Sequence, residues 1–309
     1  MVGGSARPYT EPARQAGGHV EPAASARLGE RVRQRKLVVM TDVDGCLVDR
    51  VTRSHAAADA ALDRLKQARV PVVLCSSKTR AELERLRQEL GLSDPFISEN
   101  GGALFAPVGA FPFALTGAVG RDTHEVVEFG KPHREVLEVL KRVAAREGVP
   151  VSTFSDMSVQ DVADDCGLSL AAARLAKLRE YDEPYRVAAS DPSVRPRLCR
   201  ALRSAGLRCA NGGRYDHVTS GANKGLAAVF LRRCYERQWG HVTTVGLGDA
   251  ANDVELLRAV DVPVIVRGPD AEVTAAMAAQ IRGAVVTAAV GPAGWSEAVV
   301  AILDGHQGH

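Results

Sequence analysis

An apolar run, Leu37-Val38-Val39-Met40, breaks off in Thr41-Asp42-Val43-Asp44-Gly45, and this junction constrains the chain more than any other feature. Such a continuous apolar run suits a parallel strand buried on both faces. In an open α/β sheet, ligands sit beyond the carboxyl ends of such strands. Two carboxylates two residues apart at that place are costly to bury unless a cation compensates them. Asp and Gly also favour turns and caps, so these residues alone would equally serve a plain turn.

The rhythm after the junction continues the sheet. Ala58, Ala61, Leu62 and Leu65 share one helical face. Val70-Pro71-Val72-Val73-Leu74 reads as a second strand, with its Pro tolerated at the start. Thr79 and Glu82 form a capping box, Leu83, Leu86 and Leu90 repeat at helical spacing, and Gly91 is placed to end that helix. Phe96-Ile97-Ser98 reads as a third strand before the turn Glu99-Asn100-Gly101-Gly102. From residue 108 the pattern changes. Weak strands lead into helices expected at 133–146, 169–180 and 193–205, with a strand near Tyr185-Arg186-Val187-Ala188. The first rhythm resumes with a helix at 224–238, strands at 242–246 and 262–266, a helix at 251–260, a strand near 285–286 and a last helix at 294–303. The fold class expected is α/β: a doubly wound, Rossmann-like parallel-sheet core (36–107 and 220–309) with an inserted α+β cap domain (108–219).

Three further sequence elements stand at strand ends or helix starts. Gly246-Leu247-Gly248-Asp249-Ala250-Ala251-Asn252-Asp253 offers close backbone approach and, in Asp249, Asn252 and Asp253, oxygen donors of the kind magnesium prefers. Helix capping by Asn252 explains the same residues. Ser76 follows the second strand, where a hydroxyl can bond a phosphate oxygen or simply precede a helix. Lys224 precedes an apolar helical face; its ammonium suits either a phosphate or solvent.

In order, D-x-D-G, Ser, Lys and G-D-x-x-N-D resemble the haloacid dehalogenase superfamily, in its type with a large α+β cap, over about residues 36–304. Finer likeness is to the mannosyl-3-phosphoglycerate phosphatase family. It rests on Pro71 to Arg80, Phe96 to Gly102, Arg179-Glu180-Tyr181-Asp182-Glu183-Pro184-Tyr185, Gly212 to His217, and Gly291-Pro292-Ala293-Gly294-Trp295. The resemblance implies a Mg2+-dependent phosphatase acting through an aspartyl-phosphate. Asp42 would be the nucleophile and Asp44 the general acid and base; Asp42, Asp44 (by its main-chain carbonyl), Asp249 and Asp253 would hold the metal. Ser76, Ser77, Lys224 and Asn252 would bind phosphate. In the cap, Arg179, Arg214 and His217 would meet the carboxylate of a mannosyl- or glucosyl-3-phosphoglycerate, with Glu183 on a sugar hydroxyl. An acid at Asp44 favours an alkoxide leaving group over a halide, because an alkoxide leaves poorly unless protonated. Another sugar-phosphate phosphatase or phosphomutase shares this chemistry, and a non-catalytic binding module is the remaining alternative. The chain departs from the family in Cys46, where Thr is usual, and in Gly221-Ala222-Asn223 before Lys224.

Charge and composition bound the partners. The net charge is +2, which gives no reason to expect nucleic acid. Residues 1–36 carry seven basic against three acidic side chains and no apolar period, and are expected to form a disordered basic arm (1–35). No stretch reads as a secretory leader or approaches the ~18 apolar residues of a membrane span. The six cysteines are scattered without a C-x-x-C pair, as expected of reduced thiols in the cytoplasm.

Overall fold

The computed structural model describes residues 36–189, 191–211 and 214–307; the arm expected over 1–35 lies outside the described residues, as do Gly212 and Gly213. The chain opens with β1 (Lys36–Thr41), α1 (Asp59–Gln67), β2 (Val72–Leu74), α2 (Arg80–Leu90) and β3 (Phe96–Ser98). It continues through β4 (Ala103–Pro107), β5 (Val119–Arg121), β6 (His124–Glu128), α3 (His133–Arg146), β7 (Val151–Thr153), α4 (Val159–Cys166) and α5 (Leu170–Ala176). Then come β8 (Glu183–Val187), α6 (Val194–Ser204), β9 (Arg208–Asn211), β10 (Asp216–Thr219) and α7 (Lys224–Trp239). The last elements are β11 (Val242–Gly248), α8 (Val254–Ala259), β12 (Val262–Arg267), α9 (Ala271–Gln280), β13 (Val285–Val290) and α10 (Gly291–Gln307).

A parallel sheet in the order β13-β12-β11-β1-β2 forms the core. Alternation along β1 sends Leu37 and Val39 to one apolar cluster, with α1 and α10, and Val38 and Met40 to another, with α7. Helices therefore cover both faces, which is why the strand is apolar throughout. The chain leaves β1 for β2 on one side and returns at β11 on the other. The order of strands thus reverses at β1 and β11, the place where such sheets bind ligands.

α2 starts as its sequence requires. Thr79 N–H donates to Glu82 Oε2 (2.9 Å), and Glu82 N–H donates to Thr79 Oγ1 (3.2 Å). Gly91 ends it in the left-handed region. β3 differs from expectation: it pairs antiparallel with β4 in a second sheet, β3-β4-β6-β5, and meets the parallel sheet through a bridge between Cys75 and Ile97. Phe96 stacks on Phe105 at 5.0 Å, which ties these two short strands to each other.

A third sheet, β7-β8-β10-β9, is antiparallel and carries α3 and α6 on a separate apolar cluster of Val136, Leu140, Leu198 and Leu202. α4 and α5 pack on Phe154 and Tyr215. The boundary expected at residue 108 falls inside the second sheet, because β5 and β6 pair on to β4 and Phe111 and Leu115 pack against the core-side cluster with α7. The third sheet and its helices follow, beginning with α3. The helix expected at 169–180 is α5, capped by Ser169 and ending at Ala176; α4, closed by Gly167 (φ +63°), stands where no helix was expected. α9, capped by Asp270, stands where no helix was expected. Among the described residues no helix is long and apolar enough to cross a membrane.

Candidate active site

Asp42 leaves the end of β1 with its N–H donated to the Leu247 carbonyl of β11 (2.8 Å). Thr41 Oγ1 donates to the Asp42 carbonyl (2.7 Å) and accepts from Trp295 Nε1 (2.9 Å). Trp295 is fully buried, so α10 braces the strand end that presents Asp42. Asp249 leaves the neighbouring end of β11, and Asp253 closes the turn that follows by accepting from the N–H groups of Asp249 and Ala250 (both 3.0 Å). Gly248 lies against this turn; a Cβ there would sit 2.5 Å from Asp253 Cβ.

Asp42, Asp249 and Asp253 each offer a carboxylate oxygen, all within 4.8 Å of one another. Lys224, fully buried at the start of α7, donates to Asp42 Oδ1 and Asp253 Oδ1 (2.6 Å each). Arg50 donates to Asp249 Oδ2 (2.9 Å). Three carboxylates thus face two cations. Burial, and then the charge of Asp253, push the Asp42 carboxyl up to about 8 against the pull of Lys224. Asp249 is pushed up to about 6, again by burial and Asp253, with Arg50 opposing. Burial would lower the Lys224 ammonium, but Asp253 and Asp42 hold it above its ordinary value.

A further cation would balance this cluster. Asp249 Oδ1 is buried with no hydrogen-bond partner, and the donors are all oxygens, which suits a hard divalent ion. Asp253 has both oxygens engaged, one by Lys224 and one by two backbone N–H groups. Its carboxylate therefore holds the lysine and the turn, while Asp42, Asp249 and Asp253 all stand within reach of one ion.

Asp44 lines a cleft of about 380 Å3 together with Asp42, Lys78, Arg179, His217 and Asn252. Burial alone would raise its carboxyl. Lys78, at 2.8 Å, with Arg53 and Arg50, outweighs burial and holds it below its ordinary value. Ser77 also lines the cleft. Ser76 is buried beside it, with Oγ accepting from Lys78 N–H (3.2 Å). Asn252 Nδ2 donates to Asn100 Oδ1 (3.1 Å), and Asn100 Nδ2 to Asp182 Oδ2 (2.9 Å), a chain that runs from core to cap.

The cap-side residues divide. His217 lines the cleft; burial, and then Arg179, push its imidazole down to about 3, so the ring is neutral. Nδ1–H donates to Asp182 Oδ2 (2.9 Å), which leaves Nε2 as an acceptor. Arg214 lines the cleft and donates to the Asp165 carbonyl. Arg179 reaches the cleft edge but is fastened to Asp182 and to the Ser77 carbonyl (3.0 Å), with Glu99 at 3.6 Å. Glu183, expected on a sugar hydroxyl, is not brought into the cleft lining: its buried carboxylate is taken by His133 and by Ser155 N–H and Oγ (both 2.8 Å). Cys46 is buried against Thr41 Oγ1 at 3.6 Å.

Sequence reasoning gave no role to Arg50, Arg53, Lys78, Glu99 or Asn100. Glu99 accepts from the N–H groups of Glu180, Tyr181 and Asp182 (2.9–3.1 Å), fastening the cap segment to the core turn. That turn holds Glu99, Asn100 and Gly101 at positive φ. A Cβ at Gly101 would lie 2.2 Å from the Asn223 backbone, one residue before Lys224. Gly101→Ala is expected to destabilise the fold by about 2–3 kcal/mol, read as a lower urea midpoint.

Residues 39–109 match the haloacid dehalogenase-like hydrolase family. The chain is 38% identical over 269 residues to a glucosyl-3-phosphoglycerate/mannosyl-3-phosphoglycerate phosphatase of Methanococcoides burtonii, covering 87% of this chain and 97% of that one. It is 30% identical over 270 residues to the protein of the same name from Persephonella marina, again covering 87% and 97%. The sucrose-phosphatase structure from Synechocystis shares the fold, with a TM-score of 0.58 at 16% identity over 87% of this chain and 98% of that one. Similarity that runs through parallel-sheet core and cap alike places this chain among the haloacid dehalogenase-like hydrolases, in the family of the Methanococcoides and Persephonella phosphatases.

Proposed function

We propose that this chain is a Mg2+-dependent phosphatase that releases phosphate from a mannosyl- or glucosyl-3-phosphoglycerate. The observation that carries the reaction is the pair of carboxylates on one loop in opposite electrostatic settings. Asp42 sits in a carboxylate cluster short of positive charge, and Asp44, lining the same cleft, sits between two cations. The names of the two relatives support the substrate.

Asp42 attacks phosphorus while the bond to the leaving oxygen breaks, giving an aspartyl-phosphate and an alcohol. Asp44 supplies the proton that the alkoxide needs, then takes one from the water that attacks the aspartyl-phosphate. Phosphate leaves and Asp42 is restored. The resting cleft holds Asp44 ionised, the state needed in the second step. For the first step, the substrate's own negative charge beside Asp44 raises its affinity for a proton. Lys224 aligns Asp42, and with Ser77 and Asn252 it offers donors to phosphate oxygens. Mg2+, held by Asp42, Asp249 and the Asp44 carbonyl, would supply positive charge to the phosphate. We assign residues from about 131 to 219 to the cap, with His217 and Arg214 facing the sugar. All six cysteines are free thiols, which supports a cytoplasmic setting.

The test is phosphate release from mannosyl- and glucosyl-3-phosphoglycerate and from common hexose phosphates, with and without Mg2+. Chelation is expected to abolish turnover and added Mg2+ to restore it. The same titration should raise the thermal midpoint, because the ion binds only the folded cluster. Hexose phosphates turned over as well as the glycerate esters would overturn the substrate; full activity in chelator would overturn the metal.

A further inference from the structure

Two cations meet Asp44, each on a different oxygen, and neither belongs to the carboxylate cluster around Asp42. Lys78 Nζ lies 2.8 Å from Oδ2, and Arg53 Nη1 lies 3.1 Å from Oδ1. Both side chains line the cleft. We propose that Lys78 and Arg53 form the subsite for the substrate's carboxylate, so that the core loops select the acidic leaving group. The proposal rests on the phosphoglycerate reading above.

The stereochemistry of the ester leads there. If Asp44 protonates the leaving oxygen, that oxygen lies against Asp44. In a 3-phosphoglycerate the carboxyl carbon is separated from the same oxygen by two carbons, which places the carboxylate about 3–5 Å from it. The carboxylate must therefore settle next to Asp44, where two like charges repel unless cations flank them. The cap offers less. Arg179 is fastened to Asp182 and Ser77, and Arg214 donates to the Asp165 carbonyl.

Both cations are built into place. Arg53 has φ +59°, uncommon for a residue with a side chain. The turn that imposes it is pinned by Asp49 Oδ1, which accepts from Val51 N–H (2.9 Å) and from Thr52 N–H (2.7 Å) and Oγ1 (3.0 Å). Arg53 Nη2 also reaches the Cys166 carbonyl at the end of α4, so it spans core and cap (3.5 Å). Lys78 immediately precedes the capped start of α2, where Thr79 Oγ1 donates to the Leu175 carbonyl of the cap (2.9 Å). The carboxylates near Lys78 are Asp44 and, at 3.8 Å, Glu82.

The experiment compares kcat/KM for glucosyl-3-phosphoglycerate with that for its analogue in which a hydroxymethyl group replaces the carboxylate. Full-length protein with Mg2+ is used. The unaltered protein is expected to prefer the carboxylate by about 10- to 100-fold, the scale of a charge-assisted contact. In Lys78→Gln and in Arg53→Gln the preference should fall by about tenfold. Any loss acting through Asp44 slows both esters and cancels in the ratio, so a merely structural ion pair leaves the ratio unchanged. Lys78→Arg, which keeps the charge, should keep most of the preference. Arg53 is 43% exposed on its loop, so its variant serves if Lys78→Gln does not fold. An unaltered ratio in the Gln variants overturns the subsite while the reaction stands. Equal turnover of both esters by the unaltered protein overturns the phosphoglycerate reading together with it.

Discussion

Asp42→Asn is expected to lower phosphate release by about 10⁴-fold or more, the scale on which nucleophile deletions act in covalent hydrolases. The amide keeps the shape and one acceptor oxygen, so Lys224 still has a partner on β1's end. What it loses is the charge that attacks phosphorus. The same change should not weaken the metal-free fold. Asp42 is pushed up to about 8 by burial and by Asp253, so the folded protein holds its proton more tightly than the unfolded chain does. That raised value means the ionised form costs stability, and the cost grows as pH rises from the ordinary carboxylate range towards 8. At neutral pH without Mg2+, Asn relieves that cost. The thermal midpoint in chelator should therefore equal or exceed that of the unaltered protein, while Mg2+ raises it less than before. A variant that still turns over phosphomonoesters at a comparable rate would remove Asp42 from the reaction.

The parts of the site legible in the sequence are those whose chemistry is local. The D-x-D-G loop follows from one buried strand, and the capping box at Thr79 needs only the spacing to Glu82. Lys224 and Asp253 were readable as chemistry-bearing residues, but their mutual bond joins positions far apart in the chain, and no local pattern encodes it. The same holds for Glu99, whose oxygens take three cap N–H groups, and for Glu183, expected on a sugar hydroxyl, whose carboxylate His133 and Ser155 take instead. No local pattern marks Lys78 and Arg53, because only the folded cleft sets them on Asp44. The continuation of the second sheet past residue 108 has a similar cause. β5 and β6 are short and weakly apolar, so their pairing to β4 is a tertiary choice that their composition does not signal.

Asp44→Asn should separate substrates by leaving group, which no other change at this site would do. For a sugar phosphate the departing alkoxide needs a proton, and loss of the acid is expected to cost about 10²–10⁴-fold in rate. p-Nitrophenolate leaves without one, so Asp42 should still attack p-nitrophenyl phosphate at a useful rate. The second step then fails, because no carboxylate at position 44 draws the proton from water. The expected trace is a burst of about one equivalent of p-nitrophenol per enzyme, set by the single nucleophile, with phosphate retained on the protein. Acid quenching should recover that phosphate as an acyl phosphate, which the unaltered protein does not accumulate. Loss of fold is a poor alternative explanation: Asp44 is 26% exposed, and its two ion pairs are partly solvated, so their removal should cost under about 1 kcal/mol. Equal slowing of both substrates with no burst would mean that Asp44 positions the substrate and carries no proton. The acid would then have to come from another group lining the cleft.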